Sequence, residues 1–398
     1  MQNRWAVLVA GVVIQTILGG IYAFSIFHPG LMADYGLDKA QCGMVFGVGI
    51  AVFTVAMIFA GRVLQRRGPR FTALTGAILF TAGYLTAAMS GGSLPILILG
   101  ISCLSGAGIG FGYVCPLTVG LQWFPRKRGL ITGISVAGFG GGGSLLSIIG
   151  THFLDGGMDV LKFFMWLGVI AGALLILASL LLSSPTDRKA VTTSSAGIAE
   201  FVSLPFLICL FGIFMGTFSG LLVIGHLAPI IENTGLAKTV AGWAVSAFAV
   251  GNAAGRILWG FFFERIRYIS IPASLGFFAL VLLVFSLSSH MWVVLACTAL
   301  IGIGFGANFV IYASALSTFF DISSFPRLYP VCFLGYGLAG VTGPAIGGYL
   351  ADKTGTYDAA LYLSTGMVAV AALVTAVGLK AFKDEPVPDE EPLVAPAE

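Results

Sequence analysis

The sequence predicts an all-α membrane protein with twelve transmembrane helices. Of its 398 residues, 58% are hydrophobic and only 9% are charged, a composition typical of chains that cross a membrane repeatedly. A helix needs about 20 apolar residues to cross the hydrocarbon core, and twelve such stretches follow one another along the chain. A soluble protein with twelve buried helices would need a polar shell that this composition cannot supply, so we set that alternative aside.

The predicted helices are the apolar runs between charged or turn-forming residues. They span 5–27, 42–63, 71–89, 94–123, 130–153, 160–183, 204–231, 240–263, 268–288, 291–319, 328–350 and 359–382. Glycine and proline recur inside these runs, but membrane helices tolerate both. The first run superficially resembles a signal peptide. It is too long for one, and no small-residue cleavage site follows it, so we predict that it is the first helix.

The basic residues predict the orientation of the chain. If both termini are cytoplasmic, the cytoplasmic segments carry Arg4, Arg62, Arg66, Arg67, Arg70, Arg126, Lys127, Arg128, Arg188, Lys189, Arg265, Arg267, Arg327, Lys380 and Lys383. The remaining connections carry only Lys39, Lys162, Lys238 and Lys353. Because Lys and Arg concentrate on the cytoplasmic side, we expect both termini to be cytoplasmic and the protein to lie in a plasma membrane or bacterial inner membrane. This topology accounts for the basic loops, so they give no reason to expect nucleic-acid binding.

Recurring glycine motifs predict two related halves. Ile109-Gly110-Phe111-Gly112 recurs at 303–306, Gly138-Phe139-Gly140 recurs as Gly335-Tyr336-Gly337, and Gly61 recurs as Gly260, with separations between 194 and 199 positions. We therefore predict two pseudo-symmetric six-helix bundles, with a polar cytoplasmic linker between them and an acidic, disordered cytoplasmic tail. Their boundaries are 1–183, 184–200, 201–382 and 383–398. Repeated halves with a binding site between them at mid-membrane are typical of secondary transporters.

Arg256 is the one charged side chain in the middle of a predicted helix. A guanidinium there costs at least about 3 kcal/mol and cannot lose its proton, so such residues are usually functional. Asn252 lies four residues earlier, on the same helix face. With no obvious acidic partner, this pair favours an anionic substrate: Arg256 would bind a carboxylate bidentately, and Asn252 would hydrogen-bond it or orient the guanidinium. The alternative is a structural arginine bonded to backbone carbonyls.

Further side chains are candidates for lining the same site, although each is also consistent with ordinary packing. They are Tyr113, Leu145, Asn308, Tyr312, Cys332, Phe333 and Tyr336. His28, at the outer end of the first helix, is a candidate for proton transfer, or is simply solvated there. The six cysteines show no spacing typical of metal ligands or a disulfide framework. No catalytic set, phosphate loop or zinc motif is present, so we expect no cofactor, no metal and no enzymatic activity.

The segment 123–138, which reads WFPRKRGLITGISVAG, resembles the signature of monocarboxylate transporters of the major facilitator superfamily. Oxalate/formate exchangers carry a similar version. The segment 61–70 resembles the superfamily's loop between helices two and three, with Gln65 where an aspartate is usual. The resemblance implies the major facilitator fold over nearly the whole chain.

The resemblance also implies roles for particular residues. Arg256 occupies the position of the carboxylate-binding arginine, and Asn252 stands where animal members have an aspartate. Tyr22 begins a matching Tyr-Ala-Phe segment and is a further candidate ligand, but Ile26 stands where a lysine would follow. Tyr336 occupies the place of a lysine in oxalate exchangers. One buried cation suits one carboxylate, whereas a dicarboxylate favours two.

We therefore expect a secondary transporter of a small monocarboxylate anion, such as lactate or pyruvate, by proton symport with alternating access. Uptake of a bare anion against an inside-negative potential costs about 2.3 kcal/mol per charge per 100 mV, and one co-transported proton cancels that charge. The alternative within transporters is anion exchange of the oxalate/formate kind. A membrane-embedded enzyme would need convergent nucleophiles or metal ligands, and a transporter-like sensor usually adds a soluble output domain. Besides substrate, proton and lipid bilayer, no obligate protein partner is evident.

Overall fold

The computed structural model describes residues 3–185 and 198–382. The predicted tail and most of the predicted linker lie outside these residues. The membrane helices are α1 (Arg4–Tyr35), α2 and α3 (39–67 and 69–88 of the helix Lys39–Ala88), α4 (Leu94–Trp123), α5 (Arg128–Asp155), α6 (Val160–Leu181), α7 (Leu204–Gly225), α8 (Lys238–Ile266), α9 (Ser270–Ser286), α10 (Met291–Phe319), α11 (Phe325–Thr354) and α12 (Asp358–Gly378). Two short helices, Ile198–Phe201 and Leu227–Asn233, flank α7.

Ten helices within the described residues are long and apolar enough to cross a membrane, and two of them are 48 residues long. At 1.5 Å per residue, such a helix would measure about 72 Å, more than twice the roughly 30 Å hydrocarbon core. Each of the two contains a break with positive φ, at Gly68 (φ 78°) and at Arg267 (φ 46°). Each therefore divides into two crossings, α2–α3 and α8–α9, which confirms the twelve predicted helices.

Two helix boundaries differ from the prediction by more than four residues. The first helix does not end at Phe27: a 3-10 segment, Gly20–Phe27, leads directly into the helical turns His28–Tyr35. Pro29 is tolerated there because it lies at the start of the new α-helical segment, where its missing N–H has no partner to lose. The seventh helix ends at Gly225 instead of 231, since the ring of Pro229 excludes the carbonyl four residues earlier.

Glycines bring equivalent helices into close contact in both halves. A Cβ atom on Gly106 of α4 would lie 2.8 Å from the carbonyl oxygen of Gly49 in α2. A Cβ atom on Gly302 of α10 would collide with the carbonyl oxygen of Phe248 in α8. Gly49 and Phe248 are separated by 199 positions, the same interval as Gly61 and Gly260. The duplicated sequence thus forms a duplicated helix packing.

The two halves meet at the end of the bundle that carries the α2–α3, α4–α5 and α8–α9 loops, which we call the arginine-rich end. Gly129 of α5 and Gly260 of α8 lie side by side, and a Cβ atom on either would be 2.5 Å from the other's carbonyl oxygen. On the other side of the bundle, Gly61 of α2 lies against the carbonyl of Pro326 in α11. Both contacts require glycine because backbone packs directly on backbone.

The contact between α2 and α11 weakens toward the opposite end. A Cβ atom on Gly337 would lie 2.7 Å from Thr54 Oγ1, and one on Gly340 would lie 3.9 Å from Ile50 Cγ2. Gly47 is seven residues before Thr54 on the same face of α2, yet a Cβ atom on it meets no described neighbour within 4 Å. The halves are therefore in contact at the arginine-rich end and separate toward the opposite end.

Candidate functional site

Arg256 lies in α8 between the two halves and is fully buried, with 0% of its surface exposed. Its Nη1 donates a hydrogen bond of 2.6 Å to the carbonyl oxygen of Val136 in α5. Its Nε donates one of 3.3 Å to Oδ1 of Asn252, one turn earlier in its own helix. Nη2 is buried and has no hydrogen-bond partner of good geometry among the described residues, and the hydroxyl of Tyr22 lies close to the guanidinium. The guanidinium thus keeps one donor group unused, which is costly for a buried cation.

Glycine in α5 makes room for this guanidinium. A Cβ atom on Gly140 would lie 3.0 Å from Arg256 Nε and 3.2 Å from its Cζ. Nearer the arginine-rich end of the contact between α5 and α8, a Cβ atom on Gly133 would lie 2.5 Å from the carbonyl oxygen of Arg256. The opposite side of the guanidinium faces the ring of Phe309 in α10, with 4.3 Å between Cζ and the ring centroid. Cation–π attraction at a desolvated site of this kind contributes about 2 kcal/mol.

Four predicted aromatic residues come together beside Arg256. The hydroxyls of Tyr22 and Tyr336, one from each half, are 2.8 Å apart. The ring of Phe333 lies between those of Tyr113 and Tyr336, with centroid distances of 5.4 and 5.0 Å. The charge of Arg256 acts electrostatically on all three tyrosines. These side chains form an aromatic wall around one cation.

Two candidate site residues of α10, Asn308 and Tyr312, point away from Arg256 and toward α7. The side-chain oxygen of Asn308 lies against Gly216 of α7, and its Nδ2 donates to the carbonyl of Phe305 at 3.1 Å. The hydroxyl of Tyr312 lies against Gly212 of α7 and has no partner among the described residues. Both side chains therefore pack inside the C-terminal half, and the face of α10 toward Arg256 carries Phe309 instead.

Three further candidates also lie apart from the guanidinium. Cys332 is buried and lies near Cys209 of α7 and Tyr312. Leu145 of α5 is 50% exposed. His28 is half-buried within α1, six residues beyond Tyr22. Its ring centroid is 5.7 Å from that of Phe24, and its Nε2 has no described partner.

The structure adds residues that the sequence did not single out. Val136 contributes only its backbone carbonyl, and Gly140 contributes only space. Phe139 packs its ring edge-on against Tyr22 and Tyr113, at centroid distances of 5.3 and 5.0 Å. Tyr329 places its hydroxyl 3.5 Å from that of Tyr113. The glycine-rich run at 138–143 is the signal in the sequence for this part of α5.

The described groups around Arg256 are chemically suited to an anion. The acidic side chains that the structure describes all lie at helix ends or in loops. They are Asp34, Asp38, Asp155, Asp159, Glu200, Glu264, Asp321, Asp352 and Asp358. No group of three or more His, Cys, Asp or Glu side chains suited to a metal ion occurs among the described residues. A lone buried guanidinium with a free Nη2 can bind a carboxylate through charge-assisted hydrogen bonds.

Comparison with known proteins places the chain in a family. The model of the Major Facilitator Superfamily matches residues 8–233 and 209–397, and the chain belongs to this superfamily. Its fold is similar to that of the proton:xylose symporter XylE, with a TM-score of 0.73 at 13% identity over 94% of this chain and 95% of that one. It is also similar to FucP in the outward conformation, with a TM-score of 0.74 at 13% identity over 94% and 99%.

Curated relatives narrow the class. The chain is 27% identical over 389 residues to the oxalate:formate antiporter of Oxalobacter formigenes, covering 95% of this chain and 92% of that protein. It is 26% identical to the uncharacterized MFS-type transporter YhjX of Escherichia coli K12, covering 85% and 86%. It is 24% identical to monocarboxylate transporter 13 of Rattus norvegicus, covering 87% and 82%. The protein is a multi-pass membrane transporter and not an enzyme.

Proposed function

We propose that the protein carries small monocarboxylates of the lactate or pyruvate type by proton symport with alternating access. The observation that supports this most directly is the one buried cation among the described residues, Arg256, and the unused donor at its Nη2. A carboxylate binds a guanidinium most favourably through two donors side by side, and Arg256 offers Nη2 beside the Nη1 that now bonds to Val136. The substrate would take both, so its arrival would also exchange the bond between α8 and α5 for a bond to the ligand.

The same geometry supports one negative charge and not two. The hydroxyl pair Tyr22–Tyr336 and the rings of Tyr113 and Phe333 surround the cation. They offer an apolar wall and neutral hydroxyl groups. A second carboxylate would be desolvated without a cationic partner, which is unfavourable by several kcal/mol.

A proton carried with the substrate fits the chemistry of the site. Burying an anion against Arg256 gives a neutral pair, but net uptake of the anion still moves negative charge against the membrane potential. Asn252 cannot titrate. In the simplest form of the proposal, the proton therefore travels with or beside the substrate carboxylate, and Asn252 orients the guanidinium.

The proposal also includes the orientation of the chain, the membrane in which it lies and the boundaries of its two bundles. The concentration of basic residues supports a cytoplasmic arginine-rich end, in a plasma membrane or bacterial inner membrane. The structure would then be open to the outside. The two bundles would end at 183 and begin at 201, with a cytoplasmic linker and tail. His28, on α1 toward the outer end, stays a weak candidate for proton transfer.

The test is uptake into proteoliposomes. Purified protein is reconstituted, and initial uptake of labelled lactate, pyruvate and related monoacids is measured with and without an acid-outside pH gradient. We expect the gradient to raise uptake several-fold and a protonophore to abolish that increase. Liposomes that contain Arg256→Ala serve as the matched control. Gradient-independent uptake would contradict symport.

Exchange of the oxalate/formate kind is the second candidate function. The observation that favours it is the similarity to the oxalate:formate antiporter over 95% of this chain. The same liposomes distinguish the two functions. An exchanger takes up label only when unlabelled substrate is inside, whereas a symporter concentrates it into substrate-free liposomes under a pH gradient.

A further inference from the structure

The closed, arginine-rich end is held by two sets of hydrogen bonds between the halves. In the first latch, Gln65 of α2 donates from Nε2 to the carbonyl of Ser323 at 2.7 Å and accepts at Oε1 from Nε of Arg327. In the second latch, Oε1 of Glu264 in α8 accepts from the backbone amides of Gly129 and Leu130, the latter at 3.2 Å.

The two latches occupy equivalent places in the duplicated halves. Gln65 and Glu264 are separated by 199 positions, the same interval as Gly61 and Gly260. Each latch residue lies one turn beyond its glycine and reaches the beginning of a helix in the other half, α11 or α5. Arg327 and Arg128 are also 199 positions apart, and Arg128 donates from Nη1 to the carbonyl of Ser317 at the end of α10.

The latches differ in charge and in what their opening would expose. Helix α5 begins at Arg128, and Lys127 before it provides no side-chain cap. The amides of Gly129 and Leu130 therefore take their carboxylate from the other half. At the start of α11, the amides of Ser323 and Ser324 already bond to Asp321 in the same half, at 2.7 and 2.9 Å. Pro326 has no amide hydrogen.

We propose that the second latch contributes most of the free energy that keeps this end closed and that the first latch contributes little. Opening the second latch removes a carboxylate from a helix N-terminus, where the charge and the helix dipole favour it, and leaves two amides without their acceptor. Opening the first latch breaks one hydrogen bond from the Arg327 guanidinium to a neutral amide oxygen and one between two neutral groups, and it leaves the amides of Ser323 and Ser324 bonded to Asp321. Charge-assisted hydrogen bonds are about twice as strong as neutral ones, and the second latch has two of them at a helix N-terminus whereas the first has one, so the two equivalent positions contribute unequally. This inference goes beyond the proposed function, because it concerns how the closed end is held and not what is carried.

The experiment applies the same substitution at the two equivalent positions, Glu264→Ala and Gln65→Ala. Two reporter cysteines are introduced separately into a Cys103→Ser background, since Cys103 is the one native cysteine that is not buried. Ser317→Cys reports on the closed end, where Ser317 is 0% exposed. Gly47→Cys reports on the open end, where a Cβ atom has no described neighbour within 4 Å. The rate of labelling by a water-soluble maleimide is measured on purified protein without substrate.

We expect Glu264→Ala to raise labelling of Ser317→Cys about tenfold and Gln65→Ala to raise it no more than about threefold, since a charged acceptor at a helix N-terminus outweighs a neutral one. Glu264→Gln, which keeps the shape and removes the charge, should give most of the Glu264→Ala effect. A shift of the whole carrier lowers labelling of Gly47→Cys while it raises that of Ser317→Cys, whereas unfolding raises both. Equal effects of the two alanine substitutions, a larger effect of Gln65→Ala, or faster labelling at both reporters would overturn the proposal. No substrate is involved, so this outcome is independent of whether the carried anion is a monocarboxylate.

Discussion

Helices α2 and α8 are equivalent by duplication and pack in the same way, yet only α8 carries the cation of the candidate site. A Cβ atom on Gly110 of α4 would lie 2.6 Å from the carbonyl oxygen of Phe53 and 2.9 Å from the amide of Met57. A Cβ atom on Gly306 of α10 would lie 2.6 Å from the carbonyl oxygen of Asn252 and 3.1 Å from the amide of Arg256. Phe53 therefore corresponds to Asn252, and Met57 corresponds to Arg256.

The difference between these helices shows how a duplicated scaffold acquires one site. The backbone contacts recur because glycines at equivalent positions allow them in both halves. The side chains have diverged: α2 contributes Phe53, whose ring joins the aromatic wall 5.4 Å from that of Tyr113, and α8 contributes the cation. Charge on one half and apolar surface on the other make a site for one anionic group, as the proposed monocarboxylate requires.

Alanine substitutions at the two equivalent positions, Arg256 and Met57, should show the largest difference between α8 and α2. Arg256→Ala should lower substrate affinity by about 30-fold to several thousand-fold, because loss of one partner of a buried charge pair costs about 2–5 kcal/mol. Arg256→Lys should lose most transport, since lysine keeps the charge without the planar pair of donors. Met57→Ala, the matched control, should lower the stability of the fold by about 2–5 kcal/mol and leave substrate affinity unchanged.

These variants are compared by substrate binding to purified protein and by uptake into liposomes. We expect Arg256→Ala to elute and unfold like the wild type, because its guanidinium has an unpaired nitrogen in the empty carrier. Normal uptake by well-folded Arg256→Ala would show that Arg256 does not bind the substrate.

Selectivity for substrates with one carboxylate over substrates with two tests whether the cation of α8 lacks a counterpart in the other half. Lactate-sized monoacids should inhibit uptake about 100-fold better than oxalate or succinate, since an unpaired carboxylate in the site costs roughly 3 kcal/mol. Tyr336→Lys would supply a second cation beside Arg256 and should narrow this difference. Inhibition constants for the two classes of acid provide the measurement. Equal inhibition by a dicarboxylate in the wild type would contradict the assignment of one cation to one carboxylate.

Asn252→Asp tests whether a titratable group beside Arg256 alters transport. Asn252 Oδ1 is 3.3 Å from Arg256 Nε, so an ionised aspartate would compete with the substrate for the guanidinium, whereas the protonated acid would resemble asparagine. Transport should therefore fall as the external pH rises, more steeply than in the wild type and by about tenfold across the titration, a difference of about 1.4 kcal/mol. Initial uptake is measured against pH at a fixed concentration of substrate anion. Parallel curves would place Asn252 away from the arginine–substrate pair.

Phe309→Leu should give the smallest effect. Leucine keeps an apolar surface under the guanidinium and removes the cation–π contact, which contributes about 1–2 kcal/mol at a desolvated site. Because the contact is already present in the empty carrier, only part of its energy affects binding, so the KM for substrate should rise no more than about fivefold, or about 1 kcal/mol, and Phe309→Tyr, which keeps the ring, should stay close to the wild type. A KM of Phe309→Leu equal to that of the wild type would show that the ring does not hold the cation in place.

The sequence by itself determined the fold and predicted the two residues at the centre of the candidate site. Hydropathy gave the twelve helices, because the thickness of the bilayer sets the length of each apolar run. The constant interval between glycine motifs gave the duplication. Arg256 stood out because a cation in the middle of an apolar run has no local explanation, and Asn252 followed from the helical repeat of four.

Tertiary structure alone decided which other side chains reach Arg256. Helix α10 is apolar on all sides, so no periodic pattern distinguished the face with Asn308 and Tyr312 from the face with Phe309, and one residue shifts a side chain by about 100° around the axis. Val136 acts through its carbonyl and Gly140 through the absence of a side chain, so neither has a chemical group for a motif to reveal. The two latches depend likewise on residues that are 134 to 262 positions apart in the chain and meet only after the halves have packed together.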